Sequence, residues 1–205
     1  MTNQPEGIIK YHCDWTKKPL EVLTVLELEK FNYWRSKLRE RGVIGVDVTG
    51  IGYGNISMRV KVSKDFIITG SQTGHLNKLS PNELSLVTDY DILNNYIRCS
   101  GLIKASSEAL THAAIYTNSL DYKAVIHIHS HKIWKLVHEI YPVTDPKAEY
   151  GTPEMALSIE QLLTKTFDCL PQIIILGGHP DGIIICGSTL DSTGSKTIEL
   201  LDNFE

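Results

Sequence analysis

In Val125-Ile126-His127-Ile128-His129, two histidines stand two residues apart on an otherwise apolar run. An extended strand turns alternate side chains to one face, so both imidazoles project together and can share one ion. A single histidine in such a run is ordinarily a core residue with a satisfied ring. Two in register are each desolvated and need a common partner, which points to a metal ion. His131 has the same parity, but Ser130-His131-Lys132 reads as the turn into a following helix. A further imidazole is available at His179, where the apolar run Ile173 to Leu176 ends in Gly177-Gly178-His179-Pro180-Asp181-Gly182 before the chain returns as Ile183-Ile184-Ile185. A turn between two core strands is a rigid base with an open front. That suits a catalytic site of three histidines and one exchangeable position.

A carboxylate is close at hand in Lys104-Ala105-Ser106-Ser107-Glu108. Glu108 is expected in the first turn of a helix, with His112 one turn later on the same face. The helix dipole favours a carboxylate there on structural grounds alone. The unpaired N–H groups of a helix start, together with the Ser106 and Ser107 hydroxyls, also make an anion site, and either serine can cap the helix. The glycine cluster Gly50, Gly52 and Gly54 fits neither the dinucleotide fingerprint nor a phosphate loop ending in Lys-Ser or Lys-Thr, and reads as a glycine-rich turn.

The elements that must hold these residues follow from pattern. Residues 20–41 carry Leu23, Leu26, Leu28, Phe31, Trp34 and Leu38 at three- and four-residue steps before Gly42, an amphipathic helix. Short β-prone runs broken by glycine follow (VIGVDV, ISMRVKV and DFIIT), and then LSPNELSLV as a turn with a short helical start. TDYDILNNYIRCSG reads as a strand pair and SSEALTHAAIYTN as a helix. AVIHIHS is a buried strand, HKIWKLVHEI a helix, and GTPEMALSIEQLLTKTF a helix with Pro153 in its first turn. IIILGG and GIIICG are core strands flanking His179, and a helix from Leu190 to Asp202 closes the chain. Helices at front, middle and end around hairpin-spaced strands predict a layered α/β domain whose sheet is at least partly antiparallel. No repeat or low-complexity tract divides residues 1–205, so one domain is expected, and Tyr141 to Thr152 is too short a linker to separate two.

Bulk composition agrees with a globular chain: 42% hydrophobic and 21% charged residues, with a formal charge of −4. That balance gives no basic face for nucleic acid. The start, MTNQPEGIIKYHCDWTKKPL, lacks the basic region and apolar run of a secretory signal, and no run approaches a membrane span, so a cytoplasmic location is expected. Cys13, Cys99, Cys169 and Cys186 form no Cys-x-x-Cys pair and read as reduced, incidental thiols.

Taken in order, Gly54-Asn55-Ile56-Ser57, Ile68-Thr69-Gly70-Ser71, Lys104 to Glu108 with His112, His127-Ile128-His129 and the His179 turn with Gly182 resemble the class II aldolase and adducin family, from about Leu20 to the C-terminus. The resemblance implies a three-layer α/β/α sandwich with a mixed, largely antiparallel sheet, assembled as a homotetramer. It implies that His127, His129 and His179 bind one zinc ion per chain and that Glu108 is the catalytic acid/base. It matches Gly54, Asn55, Thr69, Ser71, Ser106 and Ser107 to positions that hold a substrate phosphate, and leaves Tyr141 and Tyr150 as candidate proton donors. Two departures stand out: Ala105 precedes the serines where proline is usual, and the family's Thr-Pro-Ser-Gly is Thr69-Gly70-Ser71-Gln72. The implied activity is a zinc-dependent aldolase-type lyase on a small sugar or sugar phosphate, with the metal stabilising an enediolate while Glu108 moves the proton. Epimerisation or dehydration on the same site, and a non-catalytic adducin-like binding module, are the alternatives.

Overall fold

Branched apolar runs punctuated by glycine become the strands of an eight-stranded sheet. The computed structural model describes residues 7–166 and 170–204, so Cys169 lies outside the described residues. In chain order the elements are β1 (His12–Lys17), α1 (Val25–Glu40), β2 (Gly45–Val46), β3 (Gly52–Tyr53), β4 (Asn55–Arg59), β5 (Phe66–Thr69), β6 (Leu84–Asp91) and β7 (Tyr96–Gly101). They continue with α2 (Ala109–Asn118), β8 (Ala124–His129), α3 (His131–Leu136), α4 (Pro153–Thr166), β9 (Gln172–Ile175), β10 (Gly182–Gly187) and α5 (Leu190–Phe204). The sheet order is β1-β7-β6-β5-β4-β8-β10-β9, and β2 and β3 pair separately. Every neighbouring pair in the large sheet is antiparallel except β1 with β7, which is parallel.

Strand periodicity divides the core into two layers. Val125, Ile174 and Ile184 face Leu110, Ala113 and Ala114 of α2 and Met155, Ala156 and Ile159 of α4. The alternate residues Ile126, Ile128, Ile183 and Ile185 pack with Phe31, Trp34 and Leu38 of α1 and with Leu190, Leu200 and Leu201 of α5. The result is the α/β/α sandwich. His127 and His129, with the parity of Val125, fall on the α2/α4 side.

Several boundaries differ from expectation for local reasons. Helix α1 starts at Val25 because Thr24 and Glu27 form a reciprocal capping box, Thr24 Oγ1 accepting from Glu27 N at 3.2 Å and Glu27 Oε2 from Thr24 N at 2.8 Å. Leu23 therefore precedes the helix, and Leu26 is 62% exposed instead of facing the core. Helix α3 ends at Leu136, shorter than the run HKIWKLVHEI. Strand β1 was not expected from the sequence: it pairs with β7 and packs only Cys13 and Trp15 against the core, between the exposed His12, Asp14 and Thr16. That pairing brings Cys13 Sγ within 3.8 Å of Cys99 Sγ, two thiols far apart in the chain. Among the described residues, no helix is long and apolar enough to cross a membrane.

Candidate active site

His127 sits mid-sheet, with Asn55 of β4 opposite it on one side and Ile184 of β10 on the other. Its ring is fully buried. His129 lies opposite Gly182, and His179 projects from the turn that joins β9 to β10. That turn is closed by Leu176 N to Gly182 O at 3.0 Å, His179 N to Leu176 O at 3.2 Å and Gly182 N to His179 O at 3.0 Å. The two glycines before His179 are there for close approach. A Cβ on Gly177 would meet the Thr144 carbonyl, and one on Gly178 would meet the Ala148 carbonyl, so segment 141–152 could not lie against the turn.

The ligand nitrogens of His127, His129 and His179 all lie within 4.8 Å of one another, and His129 Nε2 and His179 Nε2 are 3.1 Å apart. Burial, then the neighbouring imidazoles, holds His127 well below the usual histidine range, and burial lowers His179 likewise, so both are neutral donors of a lone pair. His127 Nε2 is buried without a hydrogen-bond partner. A Cβ on Gly182 would come within 3.1 Å of that nitrogen and 2.5 Å of His179 Cδ2, filling the space between the rings. Three converging imidazoles around such a space fit a divalent metal of the zinc type better than magnesium or calcium, which prefer oxygen. Asn55 supports the same chemistry from behind. Its Nδ2 is 3.3 Å from His127 Nδ1 and its Oδ1 has no partner. Turning the amide over lets Oδ1 accept from Nδ1–H, the tautomer that leaves the Nε2 lone pair for a metal.

Asn55 also lines a cleft with Gly54, Ser71, Ser106, Ser107 and Glu108. The loop carrying Ser71 is tied down from α1. The buried Arg35 donates to the Thr73 and Leu76 carbonyls at 2.6 and 3.0 Å, and Arg39 to the Gly74 carbonyl and Asn77. Desolvation lowers Arg35 to about 10, which still leaves it charged at neutral pH. Glu108 is buried and accepts from Thr111 Oγ1 at 3.0 Å. It stands at the N-cap of α2, not inside the first turn, and neither serine caps the helix; Ser106 Oγ accepts the Glu108 amide at 3.3 Å.

The remaining predicted residues separate. Thr69 is behind the cleft wall, its Oγ1 3.4 Å from the Ile56 amide that donates to it and its carbonyl accepting from Ser106 N at 3.1 Å. Tyr150 is buried with its ring centroid 5.0 Å from that of His179, whereas Tyr141 packs against the α1/α5 cluster on the opposite side of the sheet from the histidines. His131 turns away to pair with Asp181 at 2.7 Å and is largely exposed. His112 is fully buried beside β4, its Nδ1 2.6 Å from Ser57 Oγ, which is in turn 2.7 Å from Tyr116 Oη. Sequence reasoning missed Gly7 and Gln72 at the cleft, Lys10 over the Tyr150 ring, Tyr11 at the Ala105 carbonyl and Tyr53, whose ring lies 5.5 Å from His129. Only Gln72 carried a signal, as a departure from glycine. It takes the left-handed φ of 60° and accepts the Gly52 amide at 2.9 Å.

A sheet between two helical layers, with a metal-competent histidine cluster linked through Asn55 to a hydroxyl-lined cleft, defines the class of molecule. Residues 46–205 match the model of the class II aldolase and adducin N-terminal domain, and the chain belongs to that family. Among solved structures it resembles an L-fuculose 1-phosphate aldolase at 19% identity and a TM-score of 0.66, over 89% of this chain and 84% of that one. It also resembles YgbL of Klebsiella pneumoniae, a candidate aldolase/epimerase/decarboxylase, at 21% identity and a TM-score of 0.62, over 84% of each chain. The sugar-phosphate aldolase of Thermotoga maritima follows at 14% identity and a TM-score of 0.55, over 85% of this chain and 93% of that one. At such identities the likeness is one of fold. No curated protein sequence matches the chain.

Proposed function

We propose that the chain is a zinc-dependent aldehyde-lyase acting on a small phosphorylated sugar or hydroxy-carbonyl compound. The observation that carries this reading is the buried, partnerless Nε2 of His127 among two further imidazoles, with Asn55 joining that cluster to the cleft that holds Glu108. Bound by His127, His129 and His179, one zinc ion per chain would supply Lewis acidity for the substrate's carbonyl and neighbouring hydroxyl oxygens. Glu108 would take and return the proton at the reacting carbon, with Thr111 Oγ1 orienting its carboxylate. Ser71, Ser106, Ser107 and the backbone at Gly54 would hold the anionic end of the substrate. Gly54 has a φ of +71°, and a Cβ there would come within 2.8 Å of Ile44 Cγ1, so the close turn depends on glycine. Tyr150 lies over His179 and would keep water from the reacting face.

Carbon–carbon cleavage, as in the L-fuculose 1-phosphate aldolase whose fold the chain shares, is the reaction we propose. Epimerisation and dehydration need the same proton transfer beside a polarised carbonyl and are the runner-up reactions. Two measurements test the reading. Elemental analysis after zinc-supplemented expression should find about one zinc per chain, lost in His179→Ala but kept in His131→Ala. A screen of phosphorylated and free ketoses and aldehydes, run in lysis and condensation directions, should then identify turnover; a metal-free wild type would overturn the proposal.

A further inference from the structure

The segment before the matched domain reaches the cleft. Gly7 lines it, and Gln72 Nε2 donates to the Gly7 carbonyl at 3.3 Å. Tyr11 Oη lies 2.9 Å from the Ala105 carbonyl and 3.1 Å from that of Ser106, the backbone just before the Ser107 and Glu108 side chains. Asn95 Nδ2 donates to the Lys10 carbonyl at 3.0 Å, and pairing of β1 with β7 starts at His12. Lys10 is therefore delivered on a backbone anchored on both sides.

Its side chain is only 13% exposed. The ammonium stands 3.8 Å from the centroid of the Tyr150 ring, which itself lies over His179. A Cβ placed on Gly151 would touch the Lys10 stem at 3.9 Å and the Ser107 carbonyl at 3.0 Å, so Lys10 and Ser107 flank the same point. Among the described residues lining the cleft the one charged side chain is Glu108, and an anion entering beside it needs a cation nearby. Arg35 and Arg39 are committed to loop carbonyls, and Lys104 is exposed over the Trp15 ring. Among the described residues Lys10 has one carboxylate partner, Glu149 at 3.2 Å, which is 68% exposed and so loosely held.

We propose that Lys10 is a specificity-determining residue that supplies the positive charge for a phosphate-monoester group of the substrate beside Ser107, displacing Glu149 when substrate binds. This rests on the cleft being the substrate site, as proposed above. Nothing in the domain motifs could announce it, because Lys10 lies outside residues 46–205.

The test is calorimetric titration of the zinc-loaded wild type, Lys10→Gln, Lys10→Met and Lys10→Arg with inorganic phosphate and, at the same ionic strength, with acetate. Wild type should bind phosphate in preference to acetate. Lys10→Gln and Lys10→Met should lose about tenfold or more in phosphate affinity with unchanged zinc content and melting temperature, and Lys10→Arg should recover most of the loss. Equal phosphate affinity in wild type and Lys10→Gln overturns the proposal, as does preference for acetate or absence of saturable phosphate binding to wild type. Loss of zinc or a lower melting temperature in both neutral variants would make Lys10 a structural strap and also overturn it. Zinc content separates this idea from the enzyme reading. A zinc-free wild type whose phosphate binding still depends on Lys10 sinks the metal function alone, whereas a zinc-replete protein indifferent to Lys10 sinks the specificity role alone.

Discussion

Glu108 and Ser107 are adjacent and line the same cleft, but only the glutamate carries a titratable oxygen, so substitution separates chemistry from binding. Glutamine fills the volume of Glu108 and keeps an oxygen able to accept from Thr111 Oγ1, so Glu108→Gln should keep fold and zinc while turnover falls by about 10²–10⁴-fold. Ser107→Ala should instead raise KM for a phosphorylated substrate with kcat little changed. Zinc analysis beside the kinetics decides the role of the glutamate. A metal-replete Glu108→Gln protein with near-normal turnover removes it from the mechanism, and a metal-depleted one makes it a ligand. At this scale the histidines were legible because strand parity fixes where His127 and His129 point, and the His179 turn is bounded by two apolar strands. Tyr141 and Tyr150 were not separable, since which side of a sheet a loop tyrosine reaches depends on packing that no local pattern encodes. Thr69 likewise looked like a ligand residue, but its hydroxyl is engaged by a neighbouring strand's amide.

Helix α2 is joined to β4 through a buried polar chain. Ser57 links His112 and Tyr116, and Arg59 donates to the Tyr116 and Ser119 carbonyls at 2.7 and 2.8 Å, placing a cation at the helix C-terminus. The junction runs from the C-terminus of α2 to His112, whose amide donates to the Glu108 carbonyl one turn earlier. Burial pushes His112 down to about 3, so the folded protein keeps it neutral where the unfolded chain, with histidine near about 6.5, takes a proton. Between those values the unfolded state binds more protons, so stability contributed by this group is intact above about pH 6.5 and falls as pH drops toward 3. The slope from one such histidine is about 1.4 kcal/mol per pH unit. Urea unfolding of the metal-free protein from pH 7.5 downward should show it, and His112→Gln should be shallower by that amount; parallel slopes for the two proteins would refute the assignment. The helices and central strands were readable from hydrophobic period, and α1 was misplaced only where a capping box overruled an apolar run. Strand β1 was hard to read because only two of its side chains, Cys13 and Trp15, pack on the core, too short an alternation to stand out, and pairing with β7 supplies the rest.

For the whole molecule, the two edges of the sheet constrain how copies could associate. The β9 edge is occupied by Val143, which bridges to Ile175 in parallel, and Thr144 N donates to the Ile175 carbonyl at 2.9 Å. The β1 edge carries His12, Asp14, Thr16 and Lys17, polar or charged side chains that discourage pairing with another strand. Assembly through a continuous intermolecular sheet is disfavoured on both sides, which leaves the helical layers and loops as contact surfaces. A closed homotetramer remains the expectation from the family resemblance, and point-group symmetry built on such faces supports it without an open edge. Tyr150 is committed within its own chain beside His179, so a neighbouring copy would add shelter to the cleft and not this tyrosine. Light scattering should therefore give a mass near four times the 23.0 kDa chain. Turnover per chain should fall on dilution below the assembly's dissociation constant, while zinc held by three side chains of a single chain should stay bound. A monodisperse 23.0 kDa species with full activity would eliminate the tetramer and any role for a neighbouring copy in excluding water from the reaction.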